Sequence, residues 1–178
     1  MVKRTIYATW EDRMENDAEH SFQLAMSAWY LIDSMKLNLD ISKILKYSLA
    51  HDLVETYAWD VFFYTSNTKE LEEKEEKEQE AAKMISENYP EFVDLHKFIE
   101  EYEKREDEES KFVYALDKLL PVINTYLDEW RTWKEYDISL DILVDLKDMK
   151  ISECKKVHFV WQDFVKIIKN KQEKLFDI

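Results

Sequence analysis

The stretch LAHDLVETYAWD, Leu49–Asp60, places a histidine and an aspartate side by side inside an apolar run. The apolar residues before it recur with the spacing of one helix face, and that face continues into His51, Asp52 and Glu55. We therefore expect these three side chains to point into the core rather than into water. Because burying polar groups is costly unless they find partners, the pair is predicted to hold a specific partner.

The length and composition of the chain predict one compact domain that spans residues 1–178. Hydrophobic residues make up 46% of the chain and aromatic residues 14%, which excludes a disordered polypeptide. The formal net charge of −14 disfavours a nucleic-acid polymer or an anionic membrane as partner, because both require clustered positive charge. A small anionic substrate stays possible if a metal ion or local basic side chains supply the positive field.

The chain contains no glycine, and this absence excludes a class of sites. The phosphate-binding loops of Walker and Rossmann proteins need backbone positions that glycine fills best. A chain without glycine and with only two prolines is predicted to consist of long helices joined by short polar links.

The apolar spacing predicts helices along the whole chain, and no alternating pattern of useful length predicts a strand. The fold class is predicted to be all-α, a single-domain bundle of about six to eight helices. Asn16 or Asp17 is expected to cap a first helix at about 17–35, and Asp40 a second one that continues through His51. The other predicted helices cover 69–88, the segment after Pro90, a long segment at 107–133 that contains Asp117, 138–149 and 152–176.

Three features of the sequence predict a cytoplasmic protein without a membrane partner. The single cysteine, Cys154, cannot form an internal disulfide. No apolar run approaches the ~20 residues of a membrane span. The basic start of the chain is not followed by the apolar segment of a secretion signal.

Four polar residues lie on the apolar faces of three predicted helices: His20, His51, Asp52 and Asp117. Helical bundles commonly build metal sites from such side chains on facing helices. Two imidazoles and two carboxylates suit a divalent ion such as Mn, Fe, Co, Ni or Zn. Taken singly, each residue also fits a hydrogen-bonded core position, and Asp117 fits an ion pair with Lys118 or Arg13.

Three segments carry a resemblance to a known family. ENDAEHSFQLAMSAWYL resembles the first motif of the HD superfamily of metal-dependent phosphohydrolases, and LAHDLVE resembles its histidine-aspartate helix. EEYEKREDEESKFVYALDKLL resembles the segment that ends in its last metal-binding aspartate. Within the superfamily the chain looks most like the 5′-deoxynucleotidase-like branch. The resemblance implies an HD-domain fold with a metal-binding core at about 10–130 and C-terminal helices at 138–176.

The same resemblance implies roles for individual residues. One divalent ion per chain (Mn, Co, Fe, Ni, Zn or Mg) is expected to have four ligands: His20, His51, Asp52 and Asp117. Glu55 is expected to be the catalytic acid or base, and Asp60 stands where the branch has a second functional aspartate. Arg13, with Lys74 as a weaker candidate, is expected to neutralise the phosphate, and Trp10 is expected to crowd the sugar.

The sequence departs from the branch at one position that bears on the substrate, because Trp59 stands where the branch usually has glycine. The predicted function is hydrolysis of a small phosphorylated substrate, a nucleoside 5′-monophosphate, and the predicted assembly is a homodimer. Two alternatives stay open. One is an HD hydrolase of another nucleotide class, and the other is a non-catalytic helical domain with a structural metal site.

Overall fold

The computed structural model describes residues 3–54 and 68–171. Within these ranges the structure contains two short strands, β1 (Lys3–Tyr7) and β2 (Met14–Asn16), and eight helices with defined ends. The helices are α1 (Asp17–Ser34), α2 (Ile41–Ala50), α3 (Thr68–Asn88), α4 (Val93–Lys104), α5 (Glu108–Leu127), α6 (Arg131–Glu135), α7 (Leu140–Ile151) and α8 (Lys155–Lys169). The predicted all-α class is confirmed. No helix in the described part of the chain is long and apolar enough to cross a membrane.

The small sheet is a feature that the sequence does not predict. β1 and β2 pair with each other, and in the turn between them the Ala8 N–H donates to the Arg13 carbonyl at 2.9 Å. Strands of five and three residues are too short for an alternating pattern to be read from sequence. The N-terminal arm is therefore ordered although its pattern gives no signal.

The chain divides into two compact units, and the first comprises Met1–Thr5 and Asn16–Glu106. In this unit α1 packs against α2, α2 against α4, and α3 against α4. Five buried apolar residues from α2, the residues directly after it, α3 and α4 form a cluster: Ala50, Val54, Ala81, Ile85 and Ile99. The single domain over residues 1–178 stays a prediction.

The second unit comprises Ile6–Glu15 and Asp107–Ile178. In it α5 packs against α6, α7 and α8, and α7 packs against α8. Asp148 on α7 joins the last two helices, because its Oδ1 lies 3.0 Å from Nε2 of His158 and accepts from Nε1 of Trp161 at 3.0 Å. The helix predicted at 152–176 corresponds to α8, and residues 172–178 lie outside the described part of the chain.

The end of α5 corrects one predicted boundary. The apolar pattern predicts a helix that continues into the 130–133 region, whereas α5 ends at Leu127. Glu129 and Trp130 have positive φ angles of 56° and 54°, which an α-helix does not allow. The Asp128 carboxylate accepts from Nε and Nη2 of Arg131, both at 2.9 Å, so a side-chain fork replaces the next helical turn.

Asp148→Asn is expected to weaken the second unit modestly and in a pH-dependent way. Hydrogen bonds from His158, the larger cause, and Trp161 hold the pKa of the Asp148 carboxyl below its ordinary value. The stabilisation is therefore full above the ordinary pKa of aspartate, about 4, and is lost as the pH falls through the lower folded-state pKa. Because the side chain is half exposed, solvent screening keeps the expected loss below about 1 kcal/mol.

Urea unfolding at pH 7 and at pH 3 checks this prediction. Asp145→Asn is the matched control, because Asp145 is exposed on the same helix and its removal changes the charge equally. We expect the difference between wild type and Asp148→Asn to shrink at pH 3. The same difference at both pH values would contradict the stabilising role of the ionised carboxylate.

Candidate metal centre

His20 is placed by the start of α1. Asn16 caps this helix, since its side chain accepts from the Glu19 N–H at 3.1 Å, and the Glu19 carboxylate accepts from the Asn16 N–H at 3.2 Å. This reciprocal pair fixes the first turn, which contains His20. His20 lies on the same face as Leu24 and Ala28, and all three are fully buried. The predicted cap and the predicted inward orientation of His20 are both present.

His51 and Asp52 form a turn that directly follows α2, and helical conformation resumes at Leu53 and Val54, so the predicted continuous helix is interrupted at this pair. Nδ1 of His51 lies 2.9 Å from the Ser48 carbonyl oxygen, which in a continuing helix would accept from the Asp52 N–H. The ring therefore competes with the backbone for that carbonyl. Because a carbonyl oxygen can only accept, Nδ1 carries a proton in this contact, and Nε2 is the ring nitrogen that faces Asp52.

Two imidazole side chains converge on Oδ2 of Asp52. Nε2 of His51 lies 3.1 Å from this oxygen, and Nε2 of His20 lies 3.9 Å from it. One ligand atom from each residue lies within 4.8 Å of the others, and all three residues are buried. Atoms that bind one divalent ion at about 2.1 Å are separated by about 3 to 4 Å, so the spacing fits such an ion. The nitrogen and oxygen donors are also those that Mn, Fe, Co, Ni and Zn accept.

Arg4 supplies a positive charge to this cluster, and the sequence did not predict it. Its Nη1 donates to Oδ2 of Asp52, the oxygen that faces both imidazoles. The Arg4 side chain is 18% exposed and that of Asp52 is 9% exposed, so the ion pair is largely removed from water. An arginine in a short extended arm has no periodic signal, and the basic start of the sequence was the only available hint.

Aromatic residues of the first unit surround the histidine side of the cluster. The rings of His51 and Tyr102 meet edge to face, with centroids 6.0 Å apart, and the rings of His20 and His51 are 5.3 Å apart. Tyr47 packs against Tyr102, and its hydroxyl donates to Glu101 at 3.2 Å. These rings keep water away from the imidazoles, which strengthens electrostatic interactions at the cluster.

Asp117 lies on α5 in the second unit and is buried. Its Oδ2 accepts from Nζ of Lys118 at 2.6 Å, which is one of the ion pairs that the sequence left open. An ion-paired carboxylate can still exchange its partner for a metal ion. The role of Asp117 as a fourth ligand therefore stays a prediction.

Two predicted substrate contacts lie in the turn between β1 and β2, which belongs to the second unit. The Trp10 N–H donates to Oδ1 of Asp128 at 2.9 Å, and its indole Nε1 donates to the Leu127 carbonyl at 3.1 Å. Trp10 is nevertheless 79% exposed. Nε of Arg13 donates to Oε2 of Glu11 at 2.6 Å on the surface. The predicted contacts of Trp10 and Arg13 with a substrate stay predictions.

The remaining predicted site residues cannot be placed. Glu55 and Asp60, together with Trp59, lie in the segment 55–67, outside the described residues. Lys74 lies on α3, but its side chain is also outside the described part. Their roles stay predictions.

A helical domain with an HD pair and a second histidine from the neighbouring helix defines a class of metal-binding proteins. The chain belongs to the HD domain family, which matches residues 1–158. Its structure is similar to a crystal structure from Magnetospirillum magnetotacticum MS-1, described as a predicted metal-dependent phosphohydrolase. The match has a TM-score of 0.79 and 27% sequence identity, and it covers 96% of this chain and 87% of that chain.

Curated proteins with a similar sequence include the 5′-deoxynucleotidase HDDC2 of Mus musculus and that of Homo sapiens. The mouse protein is 33% identical over 60% of this chain and 52% of its own length. The human protein is 33% identical over 60% of this chain and 50% of its own length. The chain thus spans about half the length of the curated relatives it matches.

Asp52→Ala is expected to abolish binding of a divalent ion. The substitution removes the oxygen that both imidazole nitrogens face. The positive charge of Arg4 remains beside the two histidines. Metal analysis after reconstitution with Mn, Co or Zn, followed by desalting, checks the result.

Asp94→Ala is the matched control for this experiment. It removes one aspartate of the same unit whose carboxylate is paired with Lys46 on the surface, and metal binding should be unchanged. Retention of the metal by Asp52→Ala at the wild-type level would show that the cluster is not the metal site.

Proposed function

We propose that this protein hydrolyses the phosphate ester of nucleoside 5′-monophosphates with the help of one divalent ion. The observation that carries the proposal is the convergence of His20, His51 and Asp52 in a buried cluster of an HD-family domain. The likeness to the 5′-deoxynucleotidases supports the choice of substrate class. A divalent ion bound at such a cluster supplies positive charge to phosphate oxygens and lowers the pKa of a bound water towards neutrality.

The described residues prepare the site in two ways. The Ser48 carbonyl orients the His51 ring, so that Nε2 rather than Nδ1 faces Asp52. The buried surroundings of His20 exclude water from one side of the cluster, so positive charge placed there acts on the substrate with little screening.

Further residues complete the proposal through the family resemblance. Asp117 is proposed as the fourth ligand, and Glu55 is proposed to take a proton from the attacking water. Asp60 is proposed to assist the leaving 5′-oxygen or to hold the sugar, with Trp10 against the sugar. Arg13 and Lys74 are proposed to neutralise the phosphate charge as it develops.

Monophosphates are expected to be better substrates than di- and triphosphates. A chain without glycine has little means of holding phosphates with backbone amides, so an ion and a few basic side chains must supply the positive charge. Each added phosphate brings further negative charge into the field of a chain with net charge −14. We also expect deoxyribose to be preferred over ribose, because Asp60 and Trp10 are proposed to crowd the 2′ position.

Values of kcat/KM for matched mono-, di- and triphosphates of ribo- and deoxyribonucleosides, measured with the metal-loaded protein, check this order. A preference for triphosphates would indicate an HD hydrolase of another nucleotide class. Metal-dependent stabilisation without hydrolysis of any nucleotide would indicate a structural metal site in a non-catalytic domain.

Glu55→Gln is expected to separate metal binding from catalysis. The amide has nearly the same size but cannot accept a proton, so kcat should fall about 10²- to 10⁴-fold while the metal content stays at the wild-type level. Glu100→Gln is the control, because Glu100 is a surface residue paired with Lys104. Near wild-type activity in Glu55→Gln would remove Glu55 from the proposed mechanism.

A further inference from the structure

The ion pair between Arg4 and Asp52 occupies the atom on which the metal cluster depends. Arg4 Nη1 donates to Oδ2 of Asp52. The same oxygen lies 3.1 Å from Nε2 of His51 and 3.9 Å from Nε2 of His20. The guanidinium therefore sits on the oxygen that faces both nitrogen donors.

A positive charge at this oxygen stabilises the arrangement. Nε2 of His51 lies 3.1 Å from the Asp52 carboxylate, and the negative charge of this largely buried carboxylate is compensated by a cation beside it. Arg4 stays protonated at any physiological pH, so it provides this compensation permanently. A divalent ion at the same oxygen would provide the same compensation with twice the charge.

A divalent ion and the Arg4 guanidinium would repel each other if both contacted Oδ2 of Asp52. At a separation of a few ångströms, a divalent ion and a guanidinium repel strongly where water is largely excluded, as it is around Asp52. The Arg4 side chain retains some contact with solvent, whereas His20 has none. Arg4 is therefore the group that can withdraw.

We propose that Arg4 is a built-in competitor of the divalent ion: its guanidinium neutralises Asp52 in the metal-free protein and leaves Oδ2 when the ion binds. The inference rests on the proposed function in one respect, namely that His20, His51 and Asp52 bind the ion. Arg4 acts through Asp52 and is thus a positioning residue. It stabilises the metal-free fold and lowers the affinity for the metal.

The competition predicts opposite effects of one substitution on stability and on metal affinity. Arg4→Gln removes the arginine charge from the largely buried Asp52 carboxylate, so the melting temperature of the metal-free protein should fall. The same change removes a repelling charge beside the metal site, so the divalent ion should bind about tenfold more tightly. General damage to the site would weaken metal binding, so a gain in affinity cannot arise from misfolding.

Calorimetric titration of metal-free wild type, Arg4→Gln and Lys46→Gln with Mn and with Zn tests the proposal. Lys46→Gln is the charge-matched control, because Lys46 belongs to the same unit and is paired with Asp94 on the surface. We expect tighter binding and a larger metal-induced rise in melting temperature for Arg4→Gln alone. Unchanged or weaker binding by Arg4→Gln, with a wild type that binds metal, would overturn the competition and leave the metal site intact.

A measurement on the wild-type protein keeps the test decisive if Arg4→Gln does not fold. In ¹⁵N-labelled protein, the guanidinium hydrogens of Arg4 should exchange with water faster after Zn is added, because they leave the buried carboxylate. Continued protection in the Zn-bound protein would overturn the proposal. A wild type that binds neither ion would overturn the proposed metal site together with this inference.

Discussion

The burial of a carboxylate between two imidazoles is the constraint on which the first unit depends. Removing an ionised carboxylate from water costs several kcal/mol unless opposite charge and hydrogen bonds compensate it. Arg4 provides the charge for Asp52, and the Ser48 carbonyl holds the neighbouring His51 ring. This requirement gives a reason for the N-terminal residues Met1–Thr5 to belong to the first unit, although the residues that follow them belong to the second.

Helix ends, rather than helix middles, present the atoms of the candidate metal centre. His20 lies in the first turn of α1, and His51 with Asp52 directly follows the last residue of α2. The carbonyl groups at the C-terminal end of a helix carry partial negative charge, so the end of α2 adds to the preference of Asp52 for a cation.

Much of the first unit's site could be predicted because its residues lie on helices with long apolar faces. The inward orientation of His20, His51 and Asp52 follows from that periodicity, and the resemblance assigned their chemistry. The end of α2 could not be predicted, because a hydrogen bond from a side chain to the Ser48 carbonyl, rather than a change of composition, accompanies it. Arg4 was missed because it lies in a five-residue strand, where neither spacing nor hydropathy identifies an inward side chain.

The end of α5 was missed for a related reason. The only feature of the sequence that marks the end of α5 is the pair Asp128 and Arg131, three residues apart. The same spacing is also typical of an ion pair on the surface of a continuous helix. In the structure the two form a fork with both N–H···O distances at 2.9 Å, and the pKa of the Arg131 guanidinium is raised mainly by its hydrogen bond to Asp128. The sequence identifies such a charged pair but does not indicate the backbone conformation that the pair favours.

The absence of glycine explains why such side-chain contacts matter in this chain. Sharp changes of direction need left-handed backbone, and here residues with a Cβ atom adopt it at about 1 to 2 kcal/mol each, among them Trp10, Glu129 and Trp130. Asp128 helps to offset this cost, since it accepts from the Trp10 N–H as well as from Arg131. Turns fixed by side chains do not offer the open row of backbone N–H groups that a glycine-rich loop offers to phosphate. The proposed hydrolysis of phosphate esters would therefore depend on a metal ion and on guanidinium or ammonium groups for positive charge, and the proposed competition by Arg4 would set how tightly that ion is held.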